Sequence, residues 1–402
     1  MVGSLWMNKN FAVSDLKIMI SVGEASGDMH AANVLQKLKN TSIKNVEAFG
    51  MGGKRLHACG MELLVDNQHH SVMGLVEVLN KYPQLRANLT TLKKALRERQ
   101  PDLLLVVDYP HFNMKLAAAA KSLGIPVIYF IAPKVWASRP GRLQELTKLV
   151  DHMAVILPFE VDLFEEAGIP TTFVGNPLLD NSKLIEVANN KVEFNPAPQI
   201  ALLPGSRKSE ISYLFPAMLD AAALLKDKYP DSEFLVPVAE TIDESYLEEF
   251  LQDRDVKITL IKPDDYQLLS RCKVAIVASG TATLELAVLG VPMIVTYKMN
   301  QLSYAVVKRW VTIPNISLTN IIAKRKVVPE LLQDEVTAEA LCNEADQLLT
   351  DKSLHDRQKA ELATVYKLLG SSGATDKLTK LINHVVAETR TTPESKRPAA
   401  QN

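Results

Sequence analysis

The sequence predicts an α/β protein with two doubly wound domains that face each other across a cleft. Short apolar runs rich in β-branched residues alternate with helical stretches along most of the 402 residues. This alternation is typical of parallel sheets covered by helices on both faces. It pauses once, over residues 176–198, where asparagines and the run Asn195-Pro196-Ala197-Pro198 indicate a connection between domains.

Each predicted strand is almost entirely apolar, as a strand buried on both faces should be. In the first domain the strands are 18–22, 46–49, 103–107, 127–131, 153–156 and 172–174. In the second they are 200–203, 234–236, 257–261, 274–278 and 293–296. Right-handed crossovers between parallel strands then place the ligand-binding loops at the carboxyl ends of the strands.

The predicted boundaries follow from these patterns. Residues 1–16 form an N-terminal extension, 17–176 the first domain, and 177–387 the second domain, whose terminal helices can pack back on the first. The polar, proline-containing tail 388–402 is predicted to be disordered.

The composition excludes several classes of protein. The 45 basic and 46 acidic residues give a net charge of −1, so no overall positive field is present to bind nucleic acid. The widely spaced Cys59, Cys272 and Cys342 suit neither a metal site nor a disulfide framework, which favours a reducing cytoplasm. No stretch approaches the ~18 uninterrupted apolar residues of a membrane-spanning helix, which predicts a soluble or peripheral protein.

The first strand leads into the loop Gly23-Glu24-Ala25-Ser26-Gly27-Asp28 and then a helix. The glycines permit a tight turn, and Ser26 or Asp28 can cap the helix. The dinucleotide fingerprint is missing, and Asp28 would repel a phosphate, so the loop suits a sugar or acceptor surface. A capped turn without further function explains the loop equally well.

Asp108 lies at the end of the apolar strand 103–107. A carboxylate at this end of a central parallel strand points into the ligand crevice, where it can take a proton from an attacking hydroxyl. Position alone slightly favours a simpler role as cap of the next helix. His111 is an alternative base, although a lone loop histidine is more often structural.

Two loops of the second domain predict a diphosphate site. Gly205, Ser206 and Arg207 directly follow a buried strand, and an arginine fork can clamp a phosphate. Ser279, Gly280 and Thr281 follow another strand and open a helix, whose free amides and dipole suit an anion. Glu285, slightly farther along this helix, can accept hydrogen bonds from ribose hydroxyls.

Asn320 is a polar residue in the otherwise apolar stretch 317–323, which we expect to lie between these two loops. It is a candidate substrate ligand. A capping or buried structural amide is the alternative.

The stretch 71–79 is apolar, and a segment rich in lysine and arginine follows it. This composition is typical of an interfacial membrane contact. A core-facing helix with a solvated basic face is the more common alternative. The residues that we expect to contact the membrane or acyl chains are Val72, Met73, Leu75, Val76 and Leu79.

Eight ordered motifs together resemble the lipid-A-disaccharide synthase family from about residue 17 to residue 385. They are GEASGD at 23–28, VMGLVEVL at 72–79, VDYPHFN at 107–113, PKVWAS at 133–138, ILPFE at 156–160, LLPGSRKSEI at 202–211, ASGTATLE at 278–285 and SLTNIIA at 317–323.

The resemblance implies two Rossmann-like domains of the GT-B glycosyltransferase type, with UDP held by the second. It implies transfer of 2,3-diacylglucosamine from UDP-diacylglucosamine to diacylglucosamine 1-phosphate, with release of UDP. Asp108 would be the base, Arg207 and Asn320 would be needed for activity, and Glu24, Ser26 and Asp28 would contact substrate. It also implies a homodimer bound peripherally to the cytoplasmic face of the inner membrane.

No cofactor is implied, and the absence of an Asp-x-Asp sequence at a strand end predicts activity without a metal. Three positions depart from the family pattern, His111, Asn176 and Thr319, and would suit a divergent branch with altered acyl-chain preference. The rival hypotheses are another UDP-sugar enzyme, such as an epimerase, and a noncatalytic nucleotide-sugar-binding protein.

Overall fold

The computed structural model describes residues 15–41, 43–67, 75–136, 141–190, 197–252, 254–308 and 314–391. The chain divides into two compact units. One contains the residues up to Asp180 and again from Ser371, and the other contains Asn181–Gly370.

The first unit is a Rossmann-like doubly wound domain. Within the described residues its parallel sheet has seven strands in the order β3-β2-β1-β4-β5-β6-β7. The strands are β1 Asp15–Val22, β2 Asn45–Gly52, β3 Glu62–Asp66, β4 Leu103–Val107, β5 Val127–Phe130, β6 His152–Val155 and β7 Thr171–Phe173. The helices between them are α1 Ala25–Lys39, α2 Lys54–Ala58, α3 Leu75–Arg99, α4 Pro110–Ser122, α5 Gly141–Leu149 and α6 Glu160–Glu166.

The second unit repeats this architecture. The order of the six strands in its described part is β10-β9-β8-β11-β12-β13. They are β8 Gln199–Leu203, β9 Glu233–Pro237, β10 Ile258–Ile261, β11 Val274–Ala278, β12 Met293–Tyr297 and β13 Glu330–Leu332. The helices are α7 Ser182–Asn189, α8 Lys208–Lys228, α9 Glu244–Leu251, α10 Tyr266–Ser270, α11 Ala282–Leu289, α12 Gln301–Lys308, α13 Leu318–Ala323, α14 Ala338–Thr350 and α15 Lys352–Leu368.

Strand β4 shows why these apolar runs become central strands. All five of its residues are buried. Leu103, Leu105 and Val107 join the core on the α1 side of the sheet. Leu104 and Val106 join the core on the α3 and α4 side. Because side chains alternate along a strand, only an uninterrupted apolar run can satisfy both cores.

The last helix, α16 Ala374–Thr391, belongs to the first unit, where it packs on α1. It continues four residues into the predicted tail 388–402. Arg390 is the physical reason, since it pairs with Asp102 and donates a hydrogen bond to the carbonyl oxygen of Asp15 (2.7 Å).

The sequence did not predict two edge strands, β3 and β13. Only Val65 is buried in β3, and none of the three residues of β13 is fully buried. Edge strands of this kind lack the apolar run by which central strands are recognised. The predicted connection 176–198 contains helix α7, whose N-cap Asn181 accepts a hydrogen bond from the amide of Leu184.

In the described part of the chain, no helix is both long enough and apolar enough to span a membrane.

Candidate functional site

Strands β1 and β4 are neighbours in the sheet although they are not consecutive in the chain, so the strand order reverses between them. Crevices at such switch points bind the ligands of doubly wound proteins. Val22 and Val107 are paired in register, so the loops that follow these strands lie side by side. Gly23 allows their contact, because a Cβ atom there would lie 2.3 Å from Cγ of Tyr109.

Asp108 directly follows β4 and is half-buried. Its φ is 44° and that of Tyr109 is 51°, so two successive non-glycine residues adopt the left-handed conformation. Such residues cost about 1–3 kcal/mol each, and they concentrate at functional sites. The N-cap of α4 is Tyr109 rather than Asp108. Asp108 therefore lies at the switch point in a strained backbone conformation, without being the N-cap residue.

The main chain of Asp108 is held from both sides. Its amide donates to the carbonyl oxygen of Phe130 (3.0 Å). Its carbonyl oxygen accepts hydrogen bonds from Nδ2 of Asn113 (2.7 Å) and from the hydroxyl of Tyr129 (2.8 Å). The sequence analysis assigned no role to Asn113 or Tyr129, since neither contact can be read from local spacing.

Asp28 is buried in the first turn of α1. It is only 4% exposed. Its carboxylate accepts hydrogen bonds from the amides of Gly53 (2.6 Å) and Arg55 (3.0 Å), at the start of α2. Because both oxygens already bind main-chain donors, Asp28 braces the loop between β2 and α2.

The other two candidates in this loop differ in exposure. Ser26 is exposed and Glu24 is half-buried at the N-cap of α1, where its side chain makes no capping hydrogen bond. Burial, together with the nearby Glu24 carboxylate, raises the pKa of Tyr109. Glu24 therefore lies near the Asp108–Tyr109 turn, whereas Asp28 is buried beneath the loop.

The second unit has its switch point between β8 and β11. Leu203 and Val277 are paired in register, which places the loops 204–207 and 279–281 next to each other. The sheet thus brings together the two loops from which the sequence predicted a diphosphate site.

The first of these loops is covered by the side chain of Glu210. Its Oε2 accepts from the amide of Ser206 (3.0 Å), and its Oε1 accepts from Nη1 of Arg207 (2.8 Å). Gly205 has φ 115°, and a Cβ atom there would lie 2.5 Å from Oε2 of Glu210. A carboxylate thus already occupies donors that were assigned to phosphate. The sequence analysis included Glu210 in the motif but gave it no role.

The second loop has open space above it. A Cβ atom added to Gly280 would have no neighbour within 4 Å. The Ser279 hydroxyl donates to the carbonyl oxygen of Ile316 (3.0 Å), and Thr281 is exposed at the N-cap of α11. Unpaired amides at a helix start attract anions, so this loop can receive a phosphate group.

Glu285 lies in the first turn of α11, as expected. Burial of its carboxyl raises its pKa to about 7. Tyr266 is close enough for the Glu285 charge to add to the effect of burial in raising the tyrosine pKa. A carboxyl with a pKa near neutrality can both accept and donate hydrogen bonds to hydroxyl groups at physiological pH.

Asn320 is a buried residue of helix α13. Its side chain is 0% exposed, and every hydrogen-bonding group of the amide is used within the protein. Nδ2 donates to the carbonyl oxygen of Val328 (2.9 Å) and to Oε1 of Glu330 (2.7 Å). Oδ1 accepts from the amides of Val327 (2.6 Å) and Val328 (2.9 Å). Asn320 is therefore placed to hold α13 against the start of β13, which leaves it no group for direct contact with a substrate.

The stretch expected to contact the membrane includes the start of helix α3. Val72 and Met73 lie outside the described residues. Leu75, Val76 and Leu79 belong to α3, where the structure describes their main chain but not their side chains.

The three departures from the family pattern have local partners. His111 is exposed and lies 3.1 Å from Nη2 of Arg142. Asn176 accepts from the amide of Leu178 (3.1 Å), and the Thr319 hydroxyl donates to the carbonyl oxygen of Thr283 (3.4 Å).

Glu160 is a buried acid that sequence reasoning missed. Its carboxylate accepts from Nε1 of Trp136 (3.1 Å) and from the amide of Leu157 (3.3 Å). Burial raises its pKa to about 7 despite these donors. Trp136 and Glu160 follow β5 and β6, so they connect loops at the same sheet edge as Asp108. Trp136 lies in the motif PKVWAS and Glu160 in the motif ILPFE, but the sequence gives no sign that the two residues are in contact.

Comparisons with known proteins agree on one family. The sequence model of the lipid-A-disaccharide synthetase family matches residues 18–382. The lipid-A-disaccharide synthase of Geobacter metallireducens is 38% identical over 378 residues, which cover 93% of this chain and 98% of the relative. The corresponding protein of Anaeromyxobacter dehalogenans is 41% identical over 362 residues, or 89% and 94% of the two chains.

Solved structures share the fold at low identity. The calicheamicin glycosyltransferase CalG4 has a TM-score of 0.64 at 13% identity, covering 95% of this chain and 100% of that one. The UDP-GlcNAc 2-epimerase of Neisseria meningitidis, bound to UDP-GlcNAc, has a TM-score of 0.60 at 15% identity, with 92% and 99% covered. The fold alone therefore fits both glycosyltransferases and epimerases.

Proposed function

The chain belongs to the lipid-A-disaccharide synthase family, and we propose that it is an inverting glycosyltransferase acting on two acylated glucosamines. The donor is UDP-2,3-diacylglucosamine and the acceptor is 2,3-diacylglucosamine 1-phosphate. The products are the β-1,6-linked disaccharide 1-phosphate and UDP.

The arrangement of groups at the two switch points supports this proposal. The first unit places an acid, Asp108, in a strained turn at its switch point. The second unit places Arg207 and the open Gly280 loop at its switch point between β8 and β11. A base for a hydroxyl and donors for a leaving diphosphate are the two requirements of sugar transfer from a nucleotide.

The reaction is a single displacement at the anomeric carbon. The 6-hydroxyl oxygen of the acceptor forms the new bond while Asp108 removes its proton. The bond from the anomeric carbon to the diphosphate oxygen breaks, and UDP leaves with the electron pair. Arg207 and the amides near Gly280 and Thr281 stabilise the negative charge on UDP. Attack opposite the α-linked leaving group produces the β linkage.

The remaining site residues follow from this mechanism. Glu285 binds the ribose hydroxyls, and Glu24 and Ser26 contact the sugar or acceptor. Asp28 braces the loop between β2 and α2, and Asn320 holds α13 against the start of β13. The acyl chains require a lipid surface, so we place the protein peripherally at the cytoplasmic face of the inner membrane, with residues 72–79 in contact and the protein as a homodimer.

The decisive experiment incubates the protein with both acylated substrates in detergent, followed by mass analysis of the lipid product. The expected product is the disaccharide 1-phosphate. Product formation that persists after metal chelation would support metal-independent transfer. Turnover of soluble UDP-N-acetylglucosamine instead would indicate an epimerase, and UDP binding without any product would indicate a noncatalytic protein.

The variant Asp108→Ala tests the assigned base. Turnover should fall to background, while the dissociation constant for UDP, measured by calorimetry, stays within about twofold of wild type. Activity equal to that of the wild type would refute the assignment of Asp108.

A further inference from the structure

The strained turn that carries Asp108 depends on donors from two other elements. Asp108 and Tyr109 are both left-handed, a conformation that non-glycine residues rarely adopt unless their surroundings impose it. Two side chains donate hydrogen bonds to the same atom of this turn, the carbonyl oxygen of Asp108.

The first donor is Asn113, in the first turns of α4. Its side chain is 0% exposed. Nδ2 donates to the carbonyl oxygens of Asp108 (2.7 Å) and Val107 (3.2 Å), and Oδ1 accepts from the hydroxyl of Ser21 (2.7 Å). Asn113 therefore fixes the end of β4 relative to both α4 and β1.

The second donor is Tyr129, in the middle of β5. The residue is fully buried, and its hydroxyl donates to the carbonyl oxygen of Asp108 at 2.8 Å. Burial, with the nearby Asp108 charge, raises the pKa of Tyr129 well above its usual value. The hydroxyl consequently keeps its proton and remains a donor across the physiological pH range.

We propose that Tyr129 and Asn113 are positioning residues that fix the direction of the Asp108 carboxylate by holding the main-chain carbonyl of the same residue. This inference rests on the proposed role of Asp108 as base. Neither side chain needs to touch a substrate. They act because the peptide before Asp108 is held by Phe130 and the peptide after it by these two donors, so the main chain at the Cα atom that carries the carboxylate is fixed on both sides. Proton transfer requires hydrogen-bonding distance to the acceptor hydroxyl.

The variant Tyr129→Phe removes one donor and retains the buried ring. We expect kcat to fall about 10- to 100-fold, as misplacement of a reacting group by an ångström can produce. The KM for the donor and the UDP dissociation constant should remain within about twofold of wild type. A loss confined to kcat indicates an interaction needed in the reaction rather than in binding.

Tyr229→Phe is the matched control, because its hydroxyl donates to Asp346 in the second unit, outside the proposed site. This control should retain wild-type kcat. Asn113→Ala should show the same kcat-specific loss as Tyr129→Phe in the fraction of protein that is folded, with fold monitored by circular dichroism and thermal melting.

Several results would overturn the inference. One is an unchanged kcat in Tyr129→Phe, whether or not the melting temperature falls, since a purely structural hydroxyl would affect only stability. Another is a weakened UDP affinity, which would place the effect in the second unit. The variant Asp108→Ala distinguishes failure of the proposed function from failure of the positioning role. Full activity in Asp108→Ala refutes the role of Asp108 as base. An inactive Asp108→Ala together with a fully active Tyr129→Phe refutes only the positioning role.

Discussion

At the scale of single residues, the carboxylate of Glu210 contacts the 205–207 loop with anionic oxygens, as a bound diphosphate would. Its carboxylate accepts from the Ser206 amide and from Arg207. Arg207 is a donor in our mechanism, and Ser206 belongs to the same predicted diphosphate loop. A diphosphate that uses these donors must therefore displace the carboxylate, and the two negative groups would also repel each other.

We predict that Glu210→Gln binds UDP more tightly, by about threefold to tenfold, because a neutral amide competes less well for Arg207 and does not repel the ligand. Calorimetric titration with UDP measures this change. Asp220→Asn, on the same helix, removes an exposed acid that pairs with Arg254 and should leave the affinity unchanged. Weaker binding in Glu210→Gln would instead mean that Glu210 orients Arg207 for the ligand.

Glu160 provides a prediction about pH. Its pKa is raised from 4.5 to about 7 in the folded protein, so the folded state binds the proton more tightly than the unfolded state. The contribution of Glu160 to stability is therefore greatest below about pH 4.5 and falls as the pH rises towards 7, by about 3 kcal/mol. Relative to the wild type, Glu160→Gln should lose this contribution, so the melting temperature of the variant should gain on that of the wild type as the pH rises from 5 to 8.

Glu165→Gln is the control for this measurement, since Glu165 is exposed on the same helix. Its pH dependence should match that of the wild type. An unchanged slope in Glu160→Gln would show that the carboxyl of Glu160 stays ionised in the folded protein.

At the scale of elements, the two units bring their candidate loops together by the same sheet geometry. In each unit the strand order reverses between the first and fourth strands, and the loops after those strands become neighbours. Loops separated by about 80 residues in the sequence are thus brought together by parallel pairing.

Gly280 tests whether the loop before α11 receives the diphosphate. An added Cβ meets nothing in the ligand-free protein, so Gly280→Ala should fold with an unchanged melting temperature. It should nevertheless bind UDP at least about tenfold more weakly, because the methyl group occupies the space that a phosphate needs. Gly141→Ala is a matched control, since a Cβ there also has no neighbour within 4 Å. Equal UDP affinity for both variants and the wild type would locate the phosphate elsewhere.

At the scale of the whole molecule, the chain returns to its first unit at the end. Helix α16 contributes Leu378, Leu381, Ile382, Val385 and Val386 to the core that contains β1 and α1. Asp180 accepts hydrogen bonds from the amides of Gly373 and Thr375 at the start of this return. The first unit is therefore incomplete until helix α16 has been synthesised.

We predict that a chain ending at Gly370 loses the first unit while the second remains folded. Each of the five apolar side chains is worth about 1.5–3 kcal/mol when buried, and together they match the net stability of a typical domain. Limited proteolysis should cut the truncated chain within residues 15–180 and leave 181–370 resistant. Equal resistance of both parts would show that α16 is not needed for the first core.

The sequence by itself determined the two doubly wound units and the candidate loops at the carboxyl ends of their strands. Central strands such as β4 and β11 were predicted with their observed bounds, because burial on both faces leaves a continuous apolar run in the local sequence. Asp108 and the loops at 205–207 and 279–281 became candidates for a related reason, since ligands of doubly wound proteins bind at the carboxyl ends of parallel strands.

Only the tertiary structure decided which polar groups are available to a ligand. Asp28 and Asn320 resemble ligands in the sequence, but main-chain donors and acceptors from distant segments satisfy them. Glu210 and Tyr129 gained their positions in the same way, through contacts that no local spacing specifies. The physical reason is that hydrogen bonding of a buried polar group is settled by what packs against it, and the packing partner comes from another part of the chain.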